Sequence, residues 1–166
     1  MHDPWAALRH TDYRRLLASV LAVTLAVQIQ DLVVAWQIYL STHDPLSLGL
    51  VGLAEALPNI GTSLLGGHVA DRMDRRRLGV ISILVLVGCA FALAGLAGVS
   101  RSLSHWRLIG IYGVVAISGV ARALLQPART ALGAAMVPRE LRPNAVAWRS
   151  TTWQFGAVAG PALGGI

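Results

Sequence analysis

The sequence predicts an all-α membrane protein. Three observations carry that reading. Hydrophobic residues make up 55% of the 166 residues and charged residues only 13%, about half the charge of a soluble domain. The apolar residues fall in runs of 18 or more, long enough as helix to cross a hydrocarbon core of about 30 Å. The arginines cluster between those runs and favour alternate connections. The net charge of +6 belongs to these short clusters. No basic stripe marks a soluble nucleic-acid-binding face.

Five spans are expected in order. The first is Leu16–Leu40, preceded by Arg9, Arg14 and Arg15. It is too long for a signal-peptide core of roughly 7–15 residues and reads as an uncleaved span. Ser41–Pro45 is a turn, with Pro45 opening the second span, Leu46–Ala70. The third, Leu78–Val99, holds no charge, and Ser100–Arg107 links it to the fourth, Leu108–Leu125. Gln126–Pro143, with three prolines, is expected to be the longest loop, and a fifth span starts near Asn144 and is still apolar at Ile166. These continuous apolar runs are too long for the alternating barrel strands of about 10 residues.

Ten arginines (Arg9, Arg14, Arg15, Arg72, Arg75, Arg76, Arg77, Arg129, Arg139 and Arg142) then fall on one side, against Arg101 and Arg107 on the other. The positive-inside rule places the N-terminus in the cytoplasm, and the expected location is the plasma (inner) membrane.

Charges within the spans are the candidate functional groups. Asp31 and Glu55 each lie 15 residues from the cytoplasmic end of their span, hence at one depth, about 22 Å along the helix. Each costs roughly 2.5–3.5 kcal/mol at a helix centre, so each should face the bundle interior or a wet cavity. Both are candidates for carrying a coupling proton, and both also fit neutral, hydrogen-bonded structural carboxyls. Gln28, Gln30 and Gln37 share the first span with Asp31 and fit either a cavity wall or hydrogen bonds between helices. Arg122, three residues from the expected end of the fourth span, either snorkels to the interface or turns inward to pair with a carboxylate. Trp36, Tyr39 and Trp106 are expected in the outer aromatic belt, and Trp148 and Trp153 in the inner one.

Metal and enzyme chemistry find no foothold. The five histidines lie on separate segments without ligand spacing, Cys89 is a lone thiol in an apolar run, and no nucleophile–base arrangement is visible. No cofactor is expected.

Three segments together resemble the major facilitator superfamily. The first, Gly67-His68-Val69-Ala70-Asp71-Arg72 with Arg75, Arg76 and Arg77, resembles the family's loop between its second and third helices. Asp74 stands where the family has a second glycine, and Val69 where it has leucine. The second, Gly119-Val120-Ala121-Arg122, is similar to the arginine motif of the fourth helix. The third, Gly156-x-x-x-Gly160-Pro161-x-x-Gly164-Gly165, resembles the fifth-helix signature of exporters that exchange substrate for protons. The segments around Trp36-Gln37, Asp44-Pro45 and Leu50–Glu55 look like the enterobactin-exporter and drug-efflux branch.

The resemblance implies a helical bundle of two six-helix halves with the substrate site between them. This chain supplies about five of the twelve helices, so it is expected to be the N-terminal part of a carrier whose C-terminal half follows in cis. Implied partners are the lipid bilayer, a small amphiphilic substrate and protons. Asp71, Arg72, Arg75 and Arg76, with Gly67, would form an inner-side conformational latch, and Arg122 would support proton coupling. Gly156, Gly160, Pro161, Gly164 and Gly165 would make a bendable, tightly packed helix between the halves. The alternative is a truncated, non-transporting membrane protein that packs against or regulates a partner through its fifth helix.

Overall fold

Each expected span is a helix in the computed structural model, which describes residues 5–72, 74–98 and 104–165, with the backbone alone for 63–72 and 104–105. The helices are α1 (Thr11–Thr42), α2 (Pro45–Arg72), α3 (Arg75–Gly98), α4 (Ser104–Ala135) and α5 (Arg142–Gly164). Short 3-10 turns at Ala6–Arg9 and Arg139–Leu141 precede α1 and α5. No strand occurs among the described residues. Helices α1 and α3, and α4 from Trp106, are long and apolar enough to cross a membrane. All-helical spanning follows from the hydrocarbon itself, which leaves no water to satisfy an open backbone.

The connections show why the helices stop where they do. Thr42 ends α1, and His43 takes a left-handed φ of 51° while its N–H donates to the Tyr39 carbonyl at 2.8 Å. That is a left-handed helix terminus made by a non-glycine residue. Asp44 then accepts from the Leu46 N–H at 3.1 Å, and Pro45 opens α2, where a missing N–H costs nothing. Asp74 does the same for α3, accepting from the Arg76 N–H at 2.8 Å. The residue that departs from the family's glycine is therefore a helix cap, which orphan N–H groups and the helix dipole both favour.

The largest difference from expectation is the end of α4. The helix continues ten residues past Leu125, through Pro127, to Ala135. Of the three prolines assigned to a long loop, only Pro138 is in one, because Pro143 sits in the first turn of α5. Proline is tolerated inside membrane helices where neighbours re-satisfy the freed carbonyl, and Ala128, Ala131, Leu132 and Ala135 are strong helix formers. Arg122 therefore lies mid-helix and not near an end, and Arg129 belongs to the helix rather than to a loop.

The chain packs as two units, residues 1–32 with 130–166, and residues 33–129. In the first, α1 and α5 run parallel. Tyr13 donates its hydroxyl to the Ala145 carbonyl at 2.5 Å, and a cluster of Ala7, Tyr13, Leu17, Val137 and Ala145 fills the seam. Trp148 packs its ring on Trp5 at 4.9 Å between centroids. It thus joins this cluster's edge.

Further along the same seam the glycines of α5 meet α1. A Cβ on Gly156 would stand 2.9 Å from Thr24 Cγ2, one on Gly160 2.5 Å from Gln28 Cβ, and one on Gly164 3.3 Å from Leu32 Cδ2. Close approach of backbones through small residues is how membrane helices gain packing without a hydrophobic driving force. Gly156→Val is expected to destabilise by roughly 1–3 kcal/mol through overpacking. Thr24→Ser, which removes the nearest methyl, should recover part of that loss, as read by thermal melting in detergent.

The second unit is built on α2, α3, α4 and the end of α1. Val34, Ile38, Leu93, Ile111 and Val115 form its buried cluster, with Val51, Ala54 and Tyr112 packed around it. Helices α3 and α4 are antiparallel. Gly110 lies against Leu96 at one end, and Gly79 faces Ala128 at the other.

Candidate functional site: a carboxylate–guanidinium pair between α2 and α4

Glu55 and Arg122 meet within the second unit. Arg122 Nη1 donates to Glu55 Oε1, and the side chains are only 14% and 26% exposed for Arg122 and Glu55 respectively. The pair is therefore largely shielded from water and from the screening that makes surface ion pairs weak.

Three contacts explain why these two residues meet. Tyr112 donates its hydroxyl to the Ser47 carbonyl at 3.1 Å, fixing the first turn of α2 against α4. Seven residues on, two turns along the same face, is Gly119. A Cβ there would lie 2.5 Å from the Glu55 carbonyl oxygen, so only glycine lets the two backbones come this close. Arg122 follows Gly119 by three residues on that face and falls beside the Glu55 side chain. Residue numbers rise together on both helices, so α2 and α4 run in the same direction at this seam.

The physical meaning of the Gly119-x-x-Arg122 spacing is thus one close approach followed by one ion pair. Of the two options for Arg122, pairing with a carboxylate is the one observed. Two neighbours escaped the sequence reading. Asn59 is one turn beyond Glu55 and Gln126 one turn beyond Arg122, and each takes part in a polar contact. Their i+4 spacing from the charged pair was the available signal.

The other candidates are dispersed. Asp31 is half-buried on α1 and has a polar or charged partner. Gln28 donates its side-chain amide to the Ala157 carbonyl at 3.3 Å, a hydrogen bond between helices. Gln30 and Gln37 are half-buried. Arg75 and Arg76 are exposed in the first turn of α3. The side chains of Asp71 and Arg72, and the surroundings of Gly67, lie outside the described residues.

On α5, Gly156 and Gly160 are buried and Gly164 is half-buried, and all three sit against α1. These three glycines of the motif therefore pack within the unit. Pro161 and Gly165 are exposed. No group of three or more His, Cys, Asp or Glu side chains converges among the described residues.

Residues 16–166 match the sequence model of the Major Facilitator Superfamily. A sodium, lithium and potassium/proton antiporter of Planococcus maritimus is 30% identical over 71% of the chain, which covers 27% of that relative. An uncharacterized transporter of the same superfamily, YqjV of Bacillus subtilis, is 30% identical over 70% of the chain and 26% of its own length. The enterobactin exporter EntS of Salmonella choleraesuis is 29% identical over 95% of the chain and 37% of its own length. The chain spans about a third of the length of these curated relatives. No solved structure matches it at a significant level.

Proposed function

Because the chain belongs to the Major Facilitator Superfamily, we propose that it is the N-terminal part of a proton-coupled efflux carrier for amphiphilic small molecules. The observation that carries this reading is the shielded Glu55–Arg122 pair. In this reading the carboxylate beside Arg122 has two arrangements. Ionised, it stays on Arg122. Once protonated, it loses most of its attraction, and the guanidinium is released. Intramembrane ionisable residues of this kind mark proton pathways, and a two-state local contact is what alternating access needs to bias. Asp31 is the second candidate for the carried proton.

In this reading the N-terminus is cytoplasmic, the membrane is the inner membrane, and Asp71, Arg72, Arg75 and Arg76 latch the inner side. A C-terminal half supplies the rest of the substrate cavity. The Planococcus relative favours one second reading, exchange of monovalent cations for protons.

Substrate-driven proton movement in inverted vesicles containing the full-length protein separates these readings. Efflux of a lipophilic drug or a siderophore against a proton gradient supports the first. Sodium- or lithium-driven proton release with no response to amphiphiles supports the second. Glu55→Gln is expected to cut the coupled flux at least tenfold. Unchanged export in an Asp71→Asn, Arg122→Ala double variant would falsify proton coupling through these groups.

A further inference from the structure

A second arginine on α4, Arg129, has no described use in the pair above. Its Nε and Nη2 atoms are both buried without a hydrogen-bond partner among the described residues. Buried guanidinium nitrogens are costly to leave unmatched. A second buried donor in the same unit is in the same condition. Ser82 on α3 is 2% exposed, and its hydroxyl has no partner among the described residues either.

Register brings these two groups to one level. Gly79 faces Ala128 across the antiparallel α3–α4 seam, so Ser82, one turn further along α3, is level with about residue 125 of α4. Helical side chains lean toward the N-terminus of their helix. The long Arg129 side chain is therefore carried toward that same level.

The depth of the site points to its ligand. Arg107 and Arg129 are 22 residues apart on one helix, about 33 Å of rise. They bracket a segment whose one charged residue is Arg122. That spacing matches a hydrocarbon core of about 30 Å, so Arg129 sits at one headgroup plane. Among the described residues no carboxylate hydrogen-bonds the two buried nitrogens of Arg129. Glu55 is taken by Arg122, and Asp44 and Asp74 cap helices. Following the α2–α4 register, Asp71 lies more than one turn further along than the α2 residues opposite Arg129. The anion abundant at this plane is the lipid phosphodiester, which a guanidinium fork fits.

We infer that Arg129 and Ser82 form a phosphate-binding site on the α3–α4 seam, occupied by the headgroup of an anionic lipid. The partly exposed edge of Arg129 is where the headgroup enters. A turn of the guanidinium then presents its inner nitrogens, with the Ser82 hydroxyl as a further donor. This inference rests on the membrane fold and not on the efflux reading.

Thermal melting of the purified full-length protein tests it, in neutral detergent with phosphatidylcholine alone, with added phosphatidylglycerol, or with added inorganic phosphate. Ligand binding to the folded state raises the midpoint. Phosphatidylglycerol is expected to raise it by several degrees. The rise should vanish in Arg129→Gln, shrink in Ser82→Ala, and persist in Arg139→Gln, a change at an exposed arginine. An equal rise in Arg129→Gln overturns the proposal. So does an Arg129→Gln loss that is the same with and without phosphatidylglycerol, because that is a purely structural role. An Arg129-dependent rise with inorganic phosphate alone overturns the lipid as occupant. Should Arg129→Gln fail to fold, Ser82→Ala decides, and an undiminished rise in that variant overturns the shared site.

Discussion

Arg122→Ala is expected to destabilise the protein by about 3–5 kcal/mol and to abolish coupled transport. The magnitude is that of removing one partner from a buried ion pair, which strands the other charge. Glu55 is mostly shielded and sits where the backbones of α2 and α4 are too close to admit a Cβ, so water cannot easily replace the guanidinium. The charge itself, more than the lost contact, drives the loss. Glu55→Gln in the Arg122→Ala background should therefore recover half or more of the stability. Transport should stay lost in the double variant, because no titratable group remains at the seam. Arg122→Lys should fall between, since an ammonium keeps the charge but not the planar fork. Melting curves and flux assays on the four members of the cycle measure the coupling. Additive losses would mean that Glu55 and Arg122 act independently.

Gly119→Ala should be nearly as damaging, through geometry alone. Its new Cβ would stand 2.5 Å from the Glu55 carbonyl oxygen, and a backbone atom cannot swing aside as a side-chain end can. The helices must separate locally, at about 1–3 kcal/mol for overpacking, and the ion pair one turn away opens with them. Gly79→Ala is the matched control. Its Cβ would meet Ala128 at 3.9 Å, an ordinary contact, so its midpoint should barely move. A Gly119→Ala protein as stable as Gly79→Ala would sink the claim that this glycine sets the α2–α4 distance.

Helix existence was legible because the bilayer imposes it. Apolar runs such as Leu78–Val99 admit no other spanning structure, and the observed helix, Arg75–Gly98, differs by a few residues. The end of α4 was not legible, because proline is a strong stop signal in water and a weak one inside a bundle. Pro127 therefore misplaced both Arg122 and Arg129 relative to the helix ends. Pairing of Arg122 with a carboxylate was one of two options in the sequence, and the choice between them, with Glu55 as the partner, was not legible for a related reason. Depth counted from assumed loop ends put Arg122 near the surface, whereas spacing from Gly119 would have put it beside α2. Gln28 shows the opposite limit. A glutamine in a span fits a cavity or a neighbour equally well, and the contact of Gln28 with the glycine face of α5 could not be read from it.

The seam between α1 and α5 has a mechanical consequence. Thr24, Gln28 and Leu32 mesh with Gly156, Gly160 and Gly164 at a constant offset, each set spaced by four residues. The two helices are toothed rails of equal pitch. Such rails cannot creep past one another. They can slip only by a whole tooth, about 6 Å for four residues, and only after every tooth has cleared. Displacements along the seam smaller than that must carry α1 and α5 together.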